Sequence, residues 1–339
     1  MIPARHRATH AILAVALSAL LLWWAFRQVD LDSTLGYLRA VRAGWLLAAV
    51  VAATLLFPLR VFRWRLLLRR EDGGAYPWIP LWHAVAMGFA ANNLLPFRAG
   101  ELVRTVAGSR LTGARLSTSL ASIGVERVFD ALTVVGLLAL GLLLPGMPPD
   151  LQIGGIPIRH AATTAGALAA AALVAAGLVV TFPIAAERVV RRLIRSDRVA
   201  LRLIELLEGL RQGLGVLRSP GRLAGVVAWS VVLWLANALS FYLAFQAFDL
   251  PVGYRGAVVL QGILAFGIAI PSAPGYVGPF EAVITAVLGV YGIGASQAVA
   301  YAVGYHVTTF IPITLLGAWS AARTGLGLAS TAREGPANA

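Results

Sequence analysis

Six apolar stretches, each close to the length that crosses a lipid bilayer, recur along this 339-residue chain. A helix needs about 17 to 25 predominantly apolar residues to span the hydrocarbon core. The stretches lie at residues 11–26, 45–62, 117–144, 161–182, 223–248 and 297–321. They predict an all-α polytopic membrane protein with a single transmembrane domain at 1–325. A short, disordered cytoplasmic tail is predicted at 326–339.

The composition narrows the chemistry further. Only 13% of residues are charged, about half the share in soluble domains. All 28 basic residues are Arg and Cys is absent, which excludes a P-loop lysine, a Schiff base, a disulfide and a thiolate metal site. The sequence predicts no cofactor, no metal site and no catalytic residue, although an intramembrane transferase stays open. An Arg-rich chain without Lys favours a prokaryotic plasma (inner) membrane.

A formal net charge of +13 is typical either of a nucleic-acid-binding protein or of a membrane protein whose loops on one side collect Arg. The Arg residues lie between apolar stretches instead of forming one basic domain, so no nucleic-acid partner is predicted. Arg collects in cytoplasmic loops of membrane proteins. The loop at 183–222 carries nine Arg and a helical Leu spacing, which predicts an amphipathic helix on the inner surface.

Two further apolar regions, 79–97 and 256–292, are interrupted by Pro and Gly, which end helices. Treating each as a re-entrant hairpin places 23 Arg and both termini in the cytoplasm, with five Arg outside. The hairpins then enter from opposite faces, as in inverted-repeat transporters whose substrate sites lie between broken helices. The alternative is that each region is an ordinary membrane-spanning helix with a kink. The predicted hairpin backbone comprises Pro96, Gly100, Pro274, Gly275 and Gly278.

Charged residues at membrane depth are candidate functional groups, because they are costly unless partnered. Arg98, Glu101 and Arg104 recur every three residues after Pro96 and so lie on adjacent faces of one helix. One guanidinium group can donate two parallel hydrogen bonds to the oxygens of a phosphate. This set predicts either a phosphate site or a structural ion pair that locks the hairpin.

Carboxylates form the second candidate group. Glu126 and Asp130 share one helix face beside Arg127, which predicts internal pairing with Arg or a proton or cation site. Glu281 follows Pro279 in a first helical turn, where it serves as a cap or as a site for a headgroup ammonium or a proton.

Two further features have simpler readings. Arg60, Arg63, Trp64 and Arg65 end the second span and predict an interfacial anchor. His306 stands alone in the last span and predicts a satisfied core or cavity residue, because one His makes no metal site.

Four strings carry a family resemblance: RVFRW at 60–64, NNLLPFRAGELVR at 92–104, ERVFD at 126–130 and PGYVGPFE at 274–281. They resemble the flippase-like family whose domain also forms the flippase half of lysylphosphatidylglycerol synthases. The resemblance covers nearly the whole chain. Tyr276 departs from it, standing where a second Gly is usual, and so does His306, standing where Arg is common.

The resemblance implies a stand-alone domain without the aminoacyl-transferase, which translocates lipids with charged or phosphate headgroups. The implied partners are membrane lipids, either anionic phospholipids or polyprenyl-phosphate-linked lipids; a homodimer and a lipid-synthesis enzyme are the other partners considered. The alternative functions are a non-transporting partner of such an enzyme and an intramembrane lipid-glycan transferase. The implied substrate-binding residues are Asn92, Asn93, Arg98, Glu101, Arg104, Glu126, Arg127, Asp130 and Glu281.

Overall fold

A computed structural model describes residues 4–95, 99–143, 219–269 and 272–333, with scattered positions between 152 and 192. Pro96 and Arg98 lie outside the described residues, as do most of the predicted span at 161–182 and most of the predicted basic helix in 183–222.

The described chain is nearly all helical, as the sequence predicts. Two antiparallel strands of two residues each, β1 (Gln152–Ile153) and β2 (Ile156–Pro157), are the only extended pair in the described residues. The helices are α1 (Ala4–Phe26), α2 (Leu31–Arg39), α3 (Ala43–Thr54), α4 (Leu56–Leu67), α5 (Trp78–Leu94), α6 (Gly100–Thr112), α7 (Leu116–Leu143), α8 (Pro220–Ala247), α9 (Tyr254–Gly267), α10 (Pro279–Val290), α11 (Ala295–Thr324) and α12 (Leu328–Arg333).

Three helical stretches in the described residues are long and apolar enough to cross a membrane: 43–67, made of α3 and α4, together with α8 and α11. They coincide with the predicted spans at 45–62, 223–248 and 297–321. α7 covers the predicted span at 117–144 and has the length to cross, but it also carries three charged residues near its middle. The chain is thus a helical protein with several apolar helices, as expected for a multi-pass membrane protein.

Residues 27–44, predicted as a loop, contain α2. The axis turns by 86° between α1 and α2. Asp30 caps the new helix, because its carboxylate accepts a hydrogen bond from the Ser33 backbone N–H at 2.9 Å. The sequence prediction missed this helix because its apolar residues do not form a stretch of spanning length.

α5 and α6 form the first helical hairpin. The Asn92 side-chain oxygen accepts a hydrogen bond from the Gly100 N–H at 2.9 Å, which ties the end of α5 to the start of α6. The two helices touch closely at Gly88 and Gly100, since a Cβ on Gly100 would collide with the Gly88 carbonyl oxygen. Only glycine therefore fits at position 100, which belongs to the predicted hairpin backbone.

The second interrupted region contains α9, a 3₁₀ turn at Pro274–Tyr276 and α10. Gly275 and Gly278 have φ of 72° and 99°, a region that favours glycine. Tyr276 also has a positive φ of 63°. A non-glycine residue is uncommon there, which gives a physical reason for the glycine usual at this position in the resembling family.

Each helical hairpin belongs to a different hydrophobic core. One core combines α4, α5, α6 and α7 around Phe57, Trp64 and Met87. The other combines α8, α9, α10 and α11 around Phe245 and Tyr301. The first hairpin and the second interrupted region thus pack into different cores, and α7 joins the two because it contributes to both.

The start of the predicted disordered tail is helical. α12 lies within 326–339 and contacts α5 and α6. Thr331 is buried there, and its hydroxyl donates to the Gly327 carbonyl at 2.7 Å. These described residues contact the first hairpin, and positions 334–339 lie outside the described residues.

Candidate functional site

A buried cluster of charges joins α4, α6 and α7. Glu126 is at its centre: Arg104 contacts both of its oxygens, at 2.7 and 2.8 Å, and Arg63 approaches at 3.1 Å. Asp130, one turn further along α7, pairs with Arg63 at 2.5 Å and with Arg127 at 3.1 Å. Helical spacing explains the grouping, since residues three or four apart share a face.

Because these charged side chains are buried, each needs a partner of opposite charge. Arg63 and Glu126 are fully buried, and removing an unpaired charge from water costs several kcal/mol. Neutral groups complete the pairing: Ser230 accepts from Arg63 at 3.1 Å, and the Trp234 indole N–H donates to Asp130 at 2.9 Å. The cluster therefore holds the helices in register.

The Trp64 ring packs against the charged cluster. Its ring lies 4.1 Å below the Arg104 guanidinium carbon, and its indole N–H donates to the Ser122 hydroxyl at 2.9 Å. A cation over an aromatic face is favourable, the more so when water is excluded. The ring thus supports the same guanidinium that Glu126 holds.

Arg60 differs from the other guanidinium groups of the cluster. Its closest carboxylate oxygens, on Glu126 and Asp130, are 3.6 and 3.9 Å away, beyond good hydrogen-bond distance. Within the described chain, the buried Nε of Arg60 makes no hydrogen bond, but neither do those of Arg63, Arg104 and Arg127. What sets Arg60 apart is its longer carboxylate contacts, and the group lies over the Phe89 ring at 5.1 Å. Arg60 therefore keeps hydrogen-bonding capacity for another acceptor.

Arg127 and Glu101 form the accessible edge of the cluster. Their side chains are 37% and 41% exposed, and they approach each other only to 3.7 Å. Such a half-exposed pair contributes little to stability and separates easily. Only this Nε contact is loose, because Nη2 of Arg127 also contacts Glu126 at 2.8 Å and Asp130 at 3.1 Å.

A cavity of about 430 Å³ opens beside this edge, which we call the inner cavity. Its walls combine the first hairpin, the charged cluster and the end of α9. The lining includes Arg60, Gly88, Asn92, Asn93, Gly100, Glu101, Arg104, Arg127, Asp130, Trp234, Ala265, Phe266 and Tyr276. Both interrupted regions therefore contribute to one chamber, whose largely apolar walls also carry charged and amide groups.

A second cavity of about 230 Å³, which we call the outer cavity, adjoins the first. Seven residues line both: Arg60, Phe89, Asn93, Trp234, Ala265, Ile268 and Tyr276. The outer cavity is rich in aromatic rings and includes amide groups from Asn237 and Gln261. Arg60, whose carboxylate contacts are long, thus lines both chambers.

The two interrupted segments approach each other beside these cavities. A Cβ on Gly275 would lie 3.4 Å from the Asn93 carbonyl oxygen. The Asn93 amide donates to the Thr314 hydroxyl of α11 at 2.8 Å. The end of α5 is thereby linked to the turn of the second region and to α11.

His306 connects the second region to α11. One ring nitrogen, Nδ1, lies 2.5 Å from Glu281 Oε1, and the other, Nε2, lies 2.9 Å from the Gly275 carbonyl oxygen. The second Glu281 oxygen accepts from the Gly278 N–H at 2.7 Å, which caps α10. Glu281 is therefore both a cap and a partner of His306.

The structure brings most of the predicted site residues together. Eight of the nine are described, and seven of those line the inner cavity or belong to its charged cluster; Glu281 lies apart, behind the outer cavity. Arg98 lies outside the described residues. Arg104 forms a structural ion pair, one of the two readings that the sequence left open, with Glu126 as its partner.

The predicted interfacial anchor at the end of the second span is wrong for its central residues. Arg63 and Trp64 are fully buried, and Arg60 lines both cavities. The sequence offered one signal: Arg60 and Arg63 are three residues apart and share a helix face. Their carboxylate partners are far away in the chain, so this spacing did not show which acids they contact.

Comparison with known proteins agrees with this architecture. The family model of the lysylphosphatidylglycerol synthase TM region matches residues 11–317, which include both interrupted regions and the whole charged cluster. The chain belongs to this family.

Two relatives illustrate the spread of the family. A UPF0104 membrane protein of Methanothermobacter thermautotrophicus is 28% identical over 246 residues, which cover 68% of this chain and 70% of the relative. The glycosyltransferase AglD of Haloferax volcanii is 25% identical over 305 residues, or 81% of this chain. Those residues are 46% of AglD, so the chain spans about half of that protein.

Proposed function

We propose that this protein moves a lipid with a phosphate-containing headgroup across a prokaryotic plasma membrane. The headgroup enters the joined cavities between the two interrupted regions, and the hydrocarbon tails stay in the bilayer. The observation that carries the proposal is the guanidinium of Arg60, held by its two carboxylate neighbours only at 3.6 and 3.9 Å, on the wall shared by the two chambers. A polar passage beside apolar helices is what a charged headgroup needs to avoid the hydrocarbon core.

Charge balance supports an anionic headgroup. Four Arg of the cluster, 60, 63, 104 and 127, face three acids, Glu101, Glu126 and Asp130. One positive charge is thus in excess before a ligand binds. Phosphate oxygens are strong acceptors for guanidinium groups, and Arg60 with Arg127 offers two of them at the cavity.

Reconstitution into vesicles tests the proposal. The vesicles carry fluorescent phosphatidylglycerol, phosphatidylcholine or polyprenyl phosphate, and an impermeant reductant measures the share of label in the outer leaflet. We expect the protein to make nearly all of the label of at least one lipid accessible. Folded protein that leaves every lipid as protected as in protein-free vesicles would overturn the proposal.

A cavity-filling variant sharpens the test. Ala265 lines both chambers, so A265W places an indole in the passage. L47W is the matched control, because Leu47 is 64% exposed on the outer surface of the helix bundle. We expect A265W to slow lipid movement at least about tenfold and L47W to leave it unchanged. Equal rates in the two variants would place the pathway elsewhere.

A second candidate function is an intramembrane transfer reaction on a lipid-linked glycan. The similarity to the glycosyltransferase AglD favours it, as do the aromatic and amide groups of the outer cavity, which suit a sugar. Incubating the purified protein with a polyprenyl-phosphate-linked sugar and an acceptor lipid tests it. A new lipid product in the mass spectrum supports transfer, whereas unchanged lipids leave transport as the function.

A further inference from the structure

The imidazole of His306 faces two groups that both require a proton donor. The Gly275 carbonyl oxygen, 2.9 Å from Nε2, can only accept a hydrogen bond. Glu281 Oε1, 2.5 Å from Nδ1, also only accepts while the carboxylate is ionised. A neutral imidazole carries one N–H, so it satisfies one of the two acceptors and leaves a lone pair facing the other.

One additional proton resolves this conflict. If it resides on the imidazole, both ring nitrogens donate; if it resides on Glu281, the carboxyl O–H donates to Nδ1. In either case, the pair holds one proton more than neutral His306 with ionised Glu281. We infer that Glu281 and His306 together form a proton-binding site at the base of the outer cavity.

The surroundings fit such a site. The side chains of His306 and Glu281 are 12% and 6% exposed, which strengthens the hydrogen bond between them. The Phe280 ring lies 4.2 Å from the imidazole centroid, and an aromatic face favours a cation. His306 also lines the outer cavity, so protons can reach it through water there.

Other titratable groups near the pair do not take over its role. Among the described residues that line the outer cavity, these are Arg60, Tyr276 and Tyr305, and no carboxylate lines it. The Tyr305 hydroxyl is hydrogen-bonded to the Ser240 hydroxyl at 2.8 Å. Arg60 keeps its charge throughout the relevant pH range. The proton therefore belongs to the Glu281 and His306 pair.

The site controls how the turn at Pro274–Tyr276 is held. With the proton bound, His306 ties the Gly275 carbonyl and the start of α10 to α11 at the same time. Loss of the proton as pH rises removes one of these ties, which loosens the turn next to the outer cavity. Coupling of this release to lipid movement rests on the proposed function; the proton site itself does not.

Nuclear magnetic resonance of the whole protein in lipid bilayers tests the proton site directly. The sample carries ¹⁵N-labelled His and ¹³C-labelled Glu, and the H306Q spectrum identifies the His306 signals among the five His. We expect His306 and Glu281 to change together in one step as pH rises, because the two groups share the proton. In E281Q, this joint step should be lost, because residue 281 can no longer share the proton.

Two outcomes would overturn the inference. One is a His306 signal that stays neutral between about pH 5 and about pH 9 while Glu281 stays ionised. The other is an unchanged His306 transition in E281Q. The measurement needs no lipid movement, so a failed transport assay and a failed proton site remain distinguishable.

Thiol labelling tests the loosening of the turn. The chain has no Cys, so V277C introduces a single probe beside the turn, at a residue that is 37% exposed. At each pH, the labelling rate of V277C is divided by that of the double variant V277C/H306Q. This ratio removes the effect of pH on ionisation of the thiol. We expect this ratio to rise severalfold with pH. A constant ratio would show that the proton does not control the turn.

Discussion

The two terminal nitrogens of Arg104 each contact a different oxygen of Glu126, at 2.7 and 2.8 Å, in a fully buried setting between α6 and α7. This two-pronged pair fixes the first hairpin to the helix that carries the carboxylates. It also occupies both terminal nitrogens of Arg104, so the proposed ligand contacts are assigned to Arg60 and Arg127.

Replacing Glu126 with Gln should strongly destabilise the protein. The change leaves the buried Arg63 and Arg104 without their shared carboxylate, and breaking a buried pair costs about 3 to 5 kcal/mol. Unfolding in detergent measures the loss. D249N is the control, because Asp249 and Arg42 form an exposed pair whose removal should cost less than about 1 kcal/mol. Similar stability of the two variants would contradict a structural role for the cluster.

Replacing Arg60 with Ala should weaken binding of a phosphate headgroup and leave the fold intact. Its carboxylate contacts are long, so few native hydrogen bonds are lost. A charge-assisted hydrogen bond to phosphate contributes about 1.5 to 3 kcal/mol, which corresponds to a loss of affinity of about tenfold or more. Native mass spectrometry of bound lipid measures it. R70A, at an exposed Arg, should bind normally; equal affinity of both variants would remove Arg60 from the site.

Replacing Glu101 with Gln should have the opposite effect on binding. Glu101 is the half-exposed acid next to Nε of Arg127, so its neutralisation frees that edge of the guanidinium for a phosphate, while Nη2 stays paired with Glu126 and Asp130. Because the pair is worth less than about 1 kcal/mol, affinity should rise by about two- to fivefold. The same lipid-binding measurement applies. A fall in affinity would mean that Glu101 contacts the ligand itself.

Replacing Gly100 with Ala should open the first hairpin. The new methyl group would collide with the Gly88 carbonyl and the Asn92 side chain, and overpacking costs about 1 to 3 kcal/mol. G136A in α7 is the matched control, since a Cβ there meets no atom within 4 Å. Alanine favours helix, so G136A should be neutral or slightly stabilising. Thermal unfolding of the two variants distinguishes these outcomes.

Local patterns in the sequence predicted most of the helices. The stretches at 45–62, 223–248 and 297–321 became helices because apolar length alone defines a membrane helix. Spacing also predicted that Glu126 and Asp130 share a face, and it left internal pairing as one of their two readings. The structure has that pairing, with Arg63, Arg104 and Arg127 as the partners.

Some features could not be predicted, because they depend on residues far apart in the chain. Arg60 and Arg63 looked like an interfacial anchor until α4 packed beside α7 and buried them. His306 looked like an isolated residue, although its partners Glu281 and Gly275 lie 25 and 31 positions away. The helix α2 depends on a capping carboxylate and a sharp bend, which no spanning pattern reveals.

The sequence by itself determined that the chain forms apolar helices broken at two Pro- and Gly-rich segments, because helix length and backbone freedom are local properties. The tertiary structure decided which guanidinium groups are consumed by carboxylates and which remain for a ligand. That distinction depends on how closely side chains of separate helices approach, as in the distances to Glu126 of 2.7 Å from Arg104 and 3.6 Å from Arg60.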